Sequence, residues 1–296
     1  MEYKAGCLVA SARRVDKMWP ESVRAVQVGN QSSTTDWSDA LQGVDAVVHC
    51  AARVHVMHDG ATDPLAAYRL VNVEGTLNLA RKAAATGVRR FVFVSSIKVN
   101  GEATQLGHPF NADEAPAPLD PYGVSKFEAE RVLRALEAET GMEVVIVRPP
   151  LVYGPGVKAN FASMVRWVER GVPLPLGAIH NARSMVALDN LVDLLMLCIK
   201  HPAAAGQTFL VSDGEDVSTT ELLRRTAQAM GKKPLLVPVP AAVLELGAAL
   251  LGKRAVAQRL CGSLQVDIEK TRNLLNWTPP LTLDQGLRKA VEGMGR

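Results

Sequence analysis

With 296 residues, ordinary apolar content and 21% charged residues, the chain can bury one large core or two modest ones, which excludes disordered and fibrous classes and fits a soluble α/β enzyme. The net charge of +3 is spread thinly and only 5% of the residues are aromatic, so nucleic-acid binding is not indicated. A small anionic ligand remains compatible with this composition.

The cysteines predict a reduced protein. They are far apart and form no CxxC pair: Cys7, Cys50, Cys198 and Cys261. Neither a disulfide framework nor a zinc site is therefore expected, and a cytoplasmic location follows.

Two apolar stretches stand out, AAVLELGAALL (241–251) and LVDLLMLCI (191–199). Each has about half the length that a membrane-spanning helix needs. We expect both to be buried helices, with no membrane association and no signal peptide before them.

The first half of the chain alternates short β-branched runs with helical stretches. After an opening apolar run at 6–12, the strand-like runs are VRAVQV (23–28), VDAVVHC (44–50), FVFVSS (91–96) and VVIVRP (144–149). Helical patterns at 66–87 and 123–141 separate the later runs. Strands that follow one another through helices pair in parallel, and continuous apolar runs indicate strands covered on both faces. Residues 1–150 therefore predict an α/β fold with a doubly wound parallel sheet.

The rhythm changes after Pro149. From RPPLVYGPG onward, turn residues interrupt shorter elements. Residues 151–296 are therefore predicted to form a smaller lobe at the carboxyl edge of the sheet, with some segments returning to it.

The stretch DPYGVSK (120–126) predicts a helix that carries chemistry near its start. Asp120 can cap the helix, Pro121 suits its first turn, and Tyr122 and Lys126 fall four residues apart on one face. A lysine cation within about 4–6 Å favours the phenolate and lowers the pKa of the tyrosine, as proton transfer to a sugar or alcohol oxygen requires. By itself this spacing also occurs in helices whose tyrosine and lysine have no catalytic role.

A second candidate lies where the run FVFVSS ends, in Ser95 and Ser96. A hydroxyl at this strand end can share a proton with a substrate oxygen and with the tyrosine. Strand-end serines are commonly turn formers, but here the pair precedes the tyrosine by about 26 residues and follows VVHCAA and NVEGT in order.

Taken together, VVHCAA, NVEGT, SSIKVNG, PYGVSK, RPPLVYGPG, ARSMVALDNLVD and LLNWTPP resemble the extended short-chain dehydrogenase/reductase family, the NAD-dependent epimerase/dehydratase group that acts on nucleotide sugars, similar to UDP-glucose 4-epimerase. The resemblance covers almost the whole chain. It implies a Rossmann domain, an NAD or NADP cofactor, a UDP-sugar substrate and a homodimer built on helices containing LVNVEGTLNLA and FEAERVLRAL.

The resemblance also implies roles for individual residues. Tyr122 is the acid/base, Lys126 lowers its pKa and holds the nicotinamide ribose, and Ser96 binds the reacting oxygen. The other positions implied to lie along the cofactor are Arg13, Ala51, Ala52, Asn72, Ser95 and Pro149. Those implied to hold the nucleotide diphosphate of the substrate are Asn160, Arg183 and Arg259, in keeping with the preference of arginine forks for phosphate.

Members of this family begin with a strand and a glycine-rich turn that cradles the cofactor pyrophosphate. Here GCLVASARR resembles the family's second strand, with Arg13 and Arg14 where the adenosine ribose is read. We therefore expect the central strand and first helix to be missing, which predicts unpaired backbone groups, low stability and weak cofactor binding.

The reaction is narrowed by Ile97 and Lys98, which stand where the family's 4,6-dehydratases carry an Asp-Glu pair. Dehydration is thus disfavoured. Arg13, in place of an acid, suits a 2′-phosphate and hence NADPH, so we predict 4-keto reduction of a UDP-4-keto-6-deoxy-HexNAc in surface-polysaccharide synthesis.

Two alternatives stay open, a UDP-sugar 4-epimerase with tightly held NAD and a non-catalytic nucleotide-sugar-binding relic. The pair His55 and His58 has no third ligand spaced to join it, so no metal site is predicted.

Overall fold

The computed structural model describes residues 8–13, 19–54, 63–156 and 160–293, without the side chains of 160–162. The chain forms two compact units. The first comprises Met1–Val99, Ala117–Val147 and Cys198–Gln207, and the second comprises Asn100–Pro116, Arg148–Leu197 and Thr208–Arg296. The change of unit after Val147 falls close to the change of sequence pattern after Pro149, and the segment 198–207 is part of the first unit.

The first unit is built on parallel strands. They are β1 Leu8–Ala12, β2 Val23–Gln27, β3 Ala46–His49, β4 Arg90–Val94 and β5 Glu143–Arg148. β1 pairs with β2, and β4 pairs with β3 on one side and with β5 on the other, all in parallel. The predicted α/β class with a parallel sheet is confirmed.

Helices connect these strands. They are α1 Ser38–Leu41, α2 Pro64–Arg69, a π-helix Leu70–Gly75, α3 Thr76–Ala85 and α4 Pro121–Thr140. α2, the π-helix and α3 follow one another without a break. The predicted helix at 66–87 is therefore one continuous helix whose middle segment is a wider π-helix. α4 begins at the predicted cap and ends where Gly141 adopts a left-handed φ of 73°, which glycine reaches without strain.

The core of the first unit lies between β3 to β5 and the helices α3 and α4. Its fully buried side chains include Phe91, Phe93, Leu133 and Ile146. Each such side chain contributes about 1.5–3 kcal/mol relative to exposure. The continuous apolar runs that predicted β4 and β5 are thus explained by burial on both faces, whereas β3 is only partly buried.

The amino-terminal strand pair is less well covered. Among the described strands, β1 has only β2 as a partner and β3 has only β4. Leu8 of β1 is 57% exposed and Val48 of β3 is 36% exposed. These are the two strand edges at which the sequence predicted unpaired backbone groups.

The second unit contains the remaining elements. Its strands are β6 Leu151–Tyr153, β7 Arg183–Ala187, β8 Thr208–Leu210 and β9 Asp216–Val217. Its helices are α5 Asn160–Glu169, α6 Leu188–Lys200, α7 Thr219–Ala229, α8 Ala241–Leu250, α9 Arg254–Cys261, α10 Glu269–Leu275 and α11 Leu283–Glu292, although the last turn of α6 belongs to the first unit. β7 pairs in parallel with β6 and antiparallel with β9.

Of the two apolar stretches noted in the sequence, the structure buries one and leaves the other exposed. α6 buries Leu191, Leu194 and Leu195, as predicted. The prediction for 241–251 is wrong, because α8 contains no buried residue and Leu250 is 81% exposed. No helix in the described ranges is both long and apolar enough to cross a membrane.

Candidate active site

The carboxylate of Asp120 makes two contacts that fix the start of α4. One oxygen of Asp120 accepts a hydrogen bond from the Gly123 amide at 2.6 Å, which caps the helix. The other oxygen forms an ion pair with Lys98, which lies in the short 3₁₀ turn Ile97–Val99 after β4. A Cβ on Gly123 would come within 2.8 Å of the Lys98 carbonyl oxygen, so only glycine allows this approach. The loop that carries Ser96 is thereby fixed against the helix that carries Tyr122.

Tyr122 lies half-buried in the first turn of α4. Burial raises the pKa of Tyr122 to about 12, against a smaller lowering by the neighbouring Ser96 side chain. The ring meets Tyr68 edge to face, with centroids 6.0 Å apart. The phenol is therefore protonated at neutral pH and can donate a proton to an oxygen beside Ser96.

Lys126 lies one turn further along α4 and is only 2% exposed. Its Nζ donates to the Val94 carbonyl at 2.7 Å and stands 4.3 Å from the Phe93 ring centroid. Burial lowers the pKa of Lys126 to about 7, although the nearby charge of Glu130 works in the opposite direction. The expected lowering of the Tyr122 pKa by Lys126 is not seen, because burial of the ring dominates and Lys126 is not among the groups that shift the pKa of this phenol.

Glu130 was not singled out in the sequence. It lies one turn beyond Lys126 on the same face of α4, is 4% exposed, and accepts a hydrogen bond from the Ser95 hydroxyl at 2.5 Å. The signal that could have found it is the four-residue spacing from Lys126 on a face that is otherwise buried. Ser95 thus contacts the interior acid, whereas Ser96 contacts Tyr122.

Asn72 sits in the π-helix and is almost fully buried. Its side-chain oxygen accepts from the Arg53 amide at 2.8 Å, and its nitrogen donates to the Arg53 carbonyl and to the Ser125 hydroxyl. π-Helical turns occur frequently at functional sites. Here the widened turn ties α4 to the segment after β3, where Ala51 is exposed and Ala52 half-buried.

His49, at the end of β3, is a further buried group that the sequence did not single out. Burial lowers its pKa to about 3, so the ring is neutral. It stacks on Phe93 at 5.9 Å and contacts the Thr76 hydroxyl and the Gln31 side chain through Nε2. His49 therefore packs against the same Phe93 ring over which the Lys126 ammonium lies.

The residues expected to bind substrate diphosphate belong to the second unit. Arg183 begins β7, and its Nη1 donates to the Gly262 carbonyl at 3.0 Å, while burial lowers its pKa. Arg259 is exposed in the last turn of α9, and Gly262 follows that helix. Arg183 is thereby anchored to the segment that carries Arg259. Pro149 is buried after β5, and the side chain of Asn160 lies outside the described residues.

The remaining predicted positions lie toward the amino terminus. Arg13 is exposed directly after β1. Arg14, His55 and His58 lie outside the described residues. In the described part of the first unit, no strand leads into a helix through a glycine-rich turn.

The nicotinamide ribose end of a dinucleotide fits these residues. An ammonium has three donors, and within the described ranges Lys126 uses one of them, on Val94. Two further N–H groups, one helical turn beyond Tyr122, suit the vicinal hydroxyls of a ribose. The donor set therefore matches the cofactor end at which hydride chemistry occurs.

Comparisons with known proteins show the family to which the chain belongs. Residues 6–212 match the profile of a family described as the NAD dependent epimerase/dehydratase family. A protein of Vibrio cholerae named UDP-glucose 4-epimerase is 52% identical over 267 residues, which cover 90% of this chain and 81% of that protein. A GDP-6-deoxy-D-mannose reductase of Pseudomonas aeruginosa is 28% identical, over 82% of this chain and 78% of its own.

A solved structure, MoeE5 in complex with UDP-glucuronic acid and NAD, superimposes with a TM-score of 0.74 at 26% identity. The match covers 97% of this chain and 90% of that one. The arrangement of strands and helices described above is thus one that is known to hold a nicotinamide dinucleotide and a UDP-sugar in another protein.

Proposed function

Because the chain belongs to the NAD-dependent epimerase/dehydratase family, whose members are NAD(P)-dependent enzymes of nucleotide-sugar metabolism, we propose that it catalyses hydride transfer at C4 of a UDP-linked sugar. The observation that carries the proposal is that the protonated Tyr122 has Ser96 as a side-chain neighbour and that the buried Lys126 lies one turn further along α4. These three side chains are one proton donor, one orienting hydroxyl and one cation, all at the carboxyl end of β4.

In the proposed mechanism the Ser96 hydroxyl binds the C4 oxygen of the sugar and orients it toward Tyr122. When bound, a nicotinamide would supply the hydride to C4 in the reducing direction and would accept it in the reverse direction, in which Tyr122 takes the proton back. Tyr122 transfers its proton to the C4 oxygen as negative charge develops there. Lys126 holds the ribose hydroxyls and offers positive charge beside the tyrosinate that remains.

For the net reaction we propose reduction of a UDP-4-keto-6-deoxy-HexNAc with NADPH. A tyrosine that is protonated at neutral pH is ready to act as an acid, which is the role that ketone reduction requires first. Arg13 offers an exposed guanidinium after β1, suited to a ribose 2′-phosphate. Dehydration is disfavoured because Ile97 is buried and Lys98 is paired with Asp120, so neither supplies an acid or a base.

The second candidate is 4-epimerisation of a UDP-sugar with retained NAD. It is favoured by the 52% identical relative that bears the name UDP-glucose 4-epimerase. The same three residues serve both reactions, since an epimerase passes through the 4-keto sugar that a reductase takes as its substrate. The binding relic is disfavoured, because a pure binder has no need of Tyr122, Ser96 and Lys126 in this arrangement.

The remaining contacts follow from the same proposal. Asn160, Arg183 and Arg259 are assigned to the substrate diphosphate, for which arginine gives charge-assisted pairing. On the cofactor side, Ala51, Ala52, Asn72, Ser95 and Pro149 are assigned to the wall along the dinucleotide. The homodimer and the cytoplasmic location remain predictions.

The test of the net reaction is an absorbance trace at the NADPH band. We expect the protein to oxidise NADPH mole for mole when given a UDP-4-keto-6-deoxy-HexNAc. Arg13→Asp should raise the KM for NADPH by about tenfold or more and favour NADH, because the new carboxylate repels a 2′-phosphate.

The matched control is Arg89→Asp, an exposed arginine just before β4, at the opposite end of that strand from Ser96, which should leave both cofactor constants unchanged. Interconversion of UDP-GlcNAc and UDP-GalNAc without any loss of NADPH would instead establish the epimerase. A preference for NADPH that is the same in Arg13→Asp would remove Arg13 from the cofactor site.

A further inference from the structure

Helix α8 presents an apolar stripe to solvent. Val243, Leu246 and Leu250, spaced by three and four residues, lie on one face and are 57%, 64% and 81% exposed. Leu251, directly after the helix, is 73% exposed. Isolated exposed leucines are ordinary, but a row of four large apolar side chains on one short segment is unusual for a protein surface.

The opposite face of α8 is accounted for by packing within the second unit. Ala241 and Leu244 pack against the cluster that contains Leu174 and Leu176. Glu245, the one charged residue of α8, lines a cavity with Arg254 of α9. The acid is therefore turned toward α9, and the stripe itself carries no charge.

The residues around the stripe are strongly basic. Residues 231–262 contain five basic side chains and a single acid, a net charge of +4, whereas the whole chain carries only +3. Lys232 and Lys233 precede α8, and Lys253 and Arg254 follow it, all of them exposed. Positive charge thus stands before and after an uncharged apolar row.

We propose that α8 and its basic flanks dock on the anionic surface of a phospholipid bilayer, with the helix lying in the plane of the interface. The stripe of Val243, Leu246, Leu250 and Leu251 enters the boundary between head groups and acyl chains, and the exposed flanking lysines Lys233 and Lys253 meet lipid phosphates. The helix is far too short to cross a bilayer, so the association is peripheral and reversible.

Charge distinguishes this occupant from a second copy of the chain. Two copies that met through α8 would bring two segments of net charge +4 together, and like charges across an interface oppose association. An anionic lipid surface carries charge of the opposite sign and extends beyond the whole segment. The apolar and the basic parts of the segment are then satisfied by the same partner.

Co-sedimentation with vesicles tests the proposal. We expect the protein to bind vesicles of phosphatidylglycerol and phosphatidylethanolamine, to bind phosphatidylcholine vesicles at least tenfold more weakly, and to lose binding as salt is raised. The double variant Leu246→Glu with Leu250→Glu should lower the partition coefficient at least tenfold without changing the melting temperature, since both side chains are exposed.

The matched control is Leu106→Glu with Leu274→Glu, two exposed leucines elsewhere in the second unit, which should bind as the wild type does. Lys233→Glu with Lys253→Glu, at two exposed lysines, should remove the preference for anionic lipid. Absence of binding to the anionic vesicles would overturn the proposal, as would equal binding by the Leu246 and Leu250 variant. Sedimentation velocity on the same proteins checks for a dimer formed through α8. A wild-type dimer that the Leu246→Glu and Leu250→Glu variant dissociates, with no vesicle binding by either protein, would also overturn the proposal.

Discussion

Replacement of Tyr122 by phenylalanine is expected to lower turnover by roughly 10²–10⁴-fold while nucleotide-sugar binding is largely kept. The substitution keeps the ring and its edge-to-face contact with Tyr68 but removes the hydroxyl and the proton that it would transfer. Steady-state kinetics with a UDP-sugar substrate, together with calorimetric titration of UDP, measures the two effects separately.

Tyr68→Phe is the control for this experiment, because it makes the same chemical change in the neighbouring ring. Among the residues that the structure describes, the Tyr68 hydroxyl makes one long contact, of 3.5 Å to the Val54 carbonyl, so activity should stay within a few-fold of wild type. If Tyr122→Phe behaves like Tyr68→Phe, Tyr122 is not the proton donor.

Lys126→Met is expected to lower turnover by roughly 10²-fold or more, since the cation beside Tyr122 and the ribose-holding donors are both removed. Its effect on stability should depend on pH. The pKa of Lys126 is about 7 in the folded protein and 10.5 in the unfolded reference, so between these values the unfolded state binds more protons. The wild type therefore gains stability as pH rises through that window, by up to about 1.4 kcal/mol per pH unit, and is flat below it.

The methionine variant lacks this titration. The difference in free energy of unfolding between variant and wild type should consequently move in favour of the wild type from pH 7 to pH 10, as measured by chemical denaturation at several pH values. Lys253→Met, at an exposed lysine, serves as the control and should follow the wild-type profile. A difference for Lys126→Met that does not change with pH would mean that the buried ammonium keeps its ordinary pKa.

Much of the site could be predicted because its signals are local. The cap at Asp120, the proline in the first turn and the spacing of Tyr122 from Lys126 follow from helix geometry alone, and the strand ends follow from runs of buried apolar residues. The parallel pairing of β3, β4 and β5 could be expected from the helices between them.

What could not be predicted depends on contacts between distant segments. The hydrogen bonds between the Asn72 side chain and the Arg53 backbone depend on the path of the chain after β3, which the sequence does not specify. The pKa of Tyr122 depends on how deeply the ring is buried, which the spacing of Tyr122 from Lys126 does not reveal. The prediction that α8 is buried was wrong because apolar composition alone does not tell which face of a helix is covered.

The most direct test of the central claim is nuclear magnetic resonance of the product sugar after turnover with a deuterium-labelled hydride donor. The label is placed on the nicotinamide C4 of NADPH for the UDP-4-keto-6-deoxy-HexNAc reaction, and on sugar C4 for UDP-GlcNAc epimerisation. We predict deuterium at C4 of the product in the reaction that the protein catalyses, and loss of that product with Tyr122→Phe. A product with deuterium at any other carbon, or turnover that leaves C4 unlabelled, would contradict hydride transfer at C4.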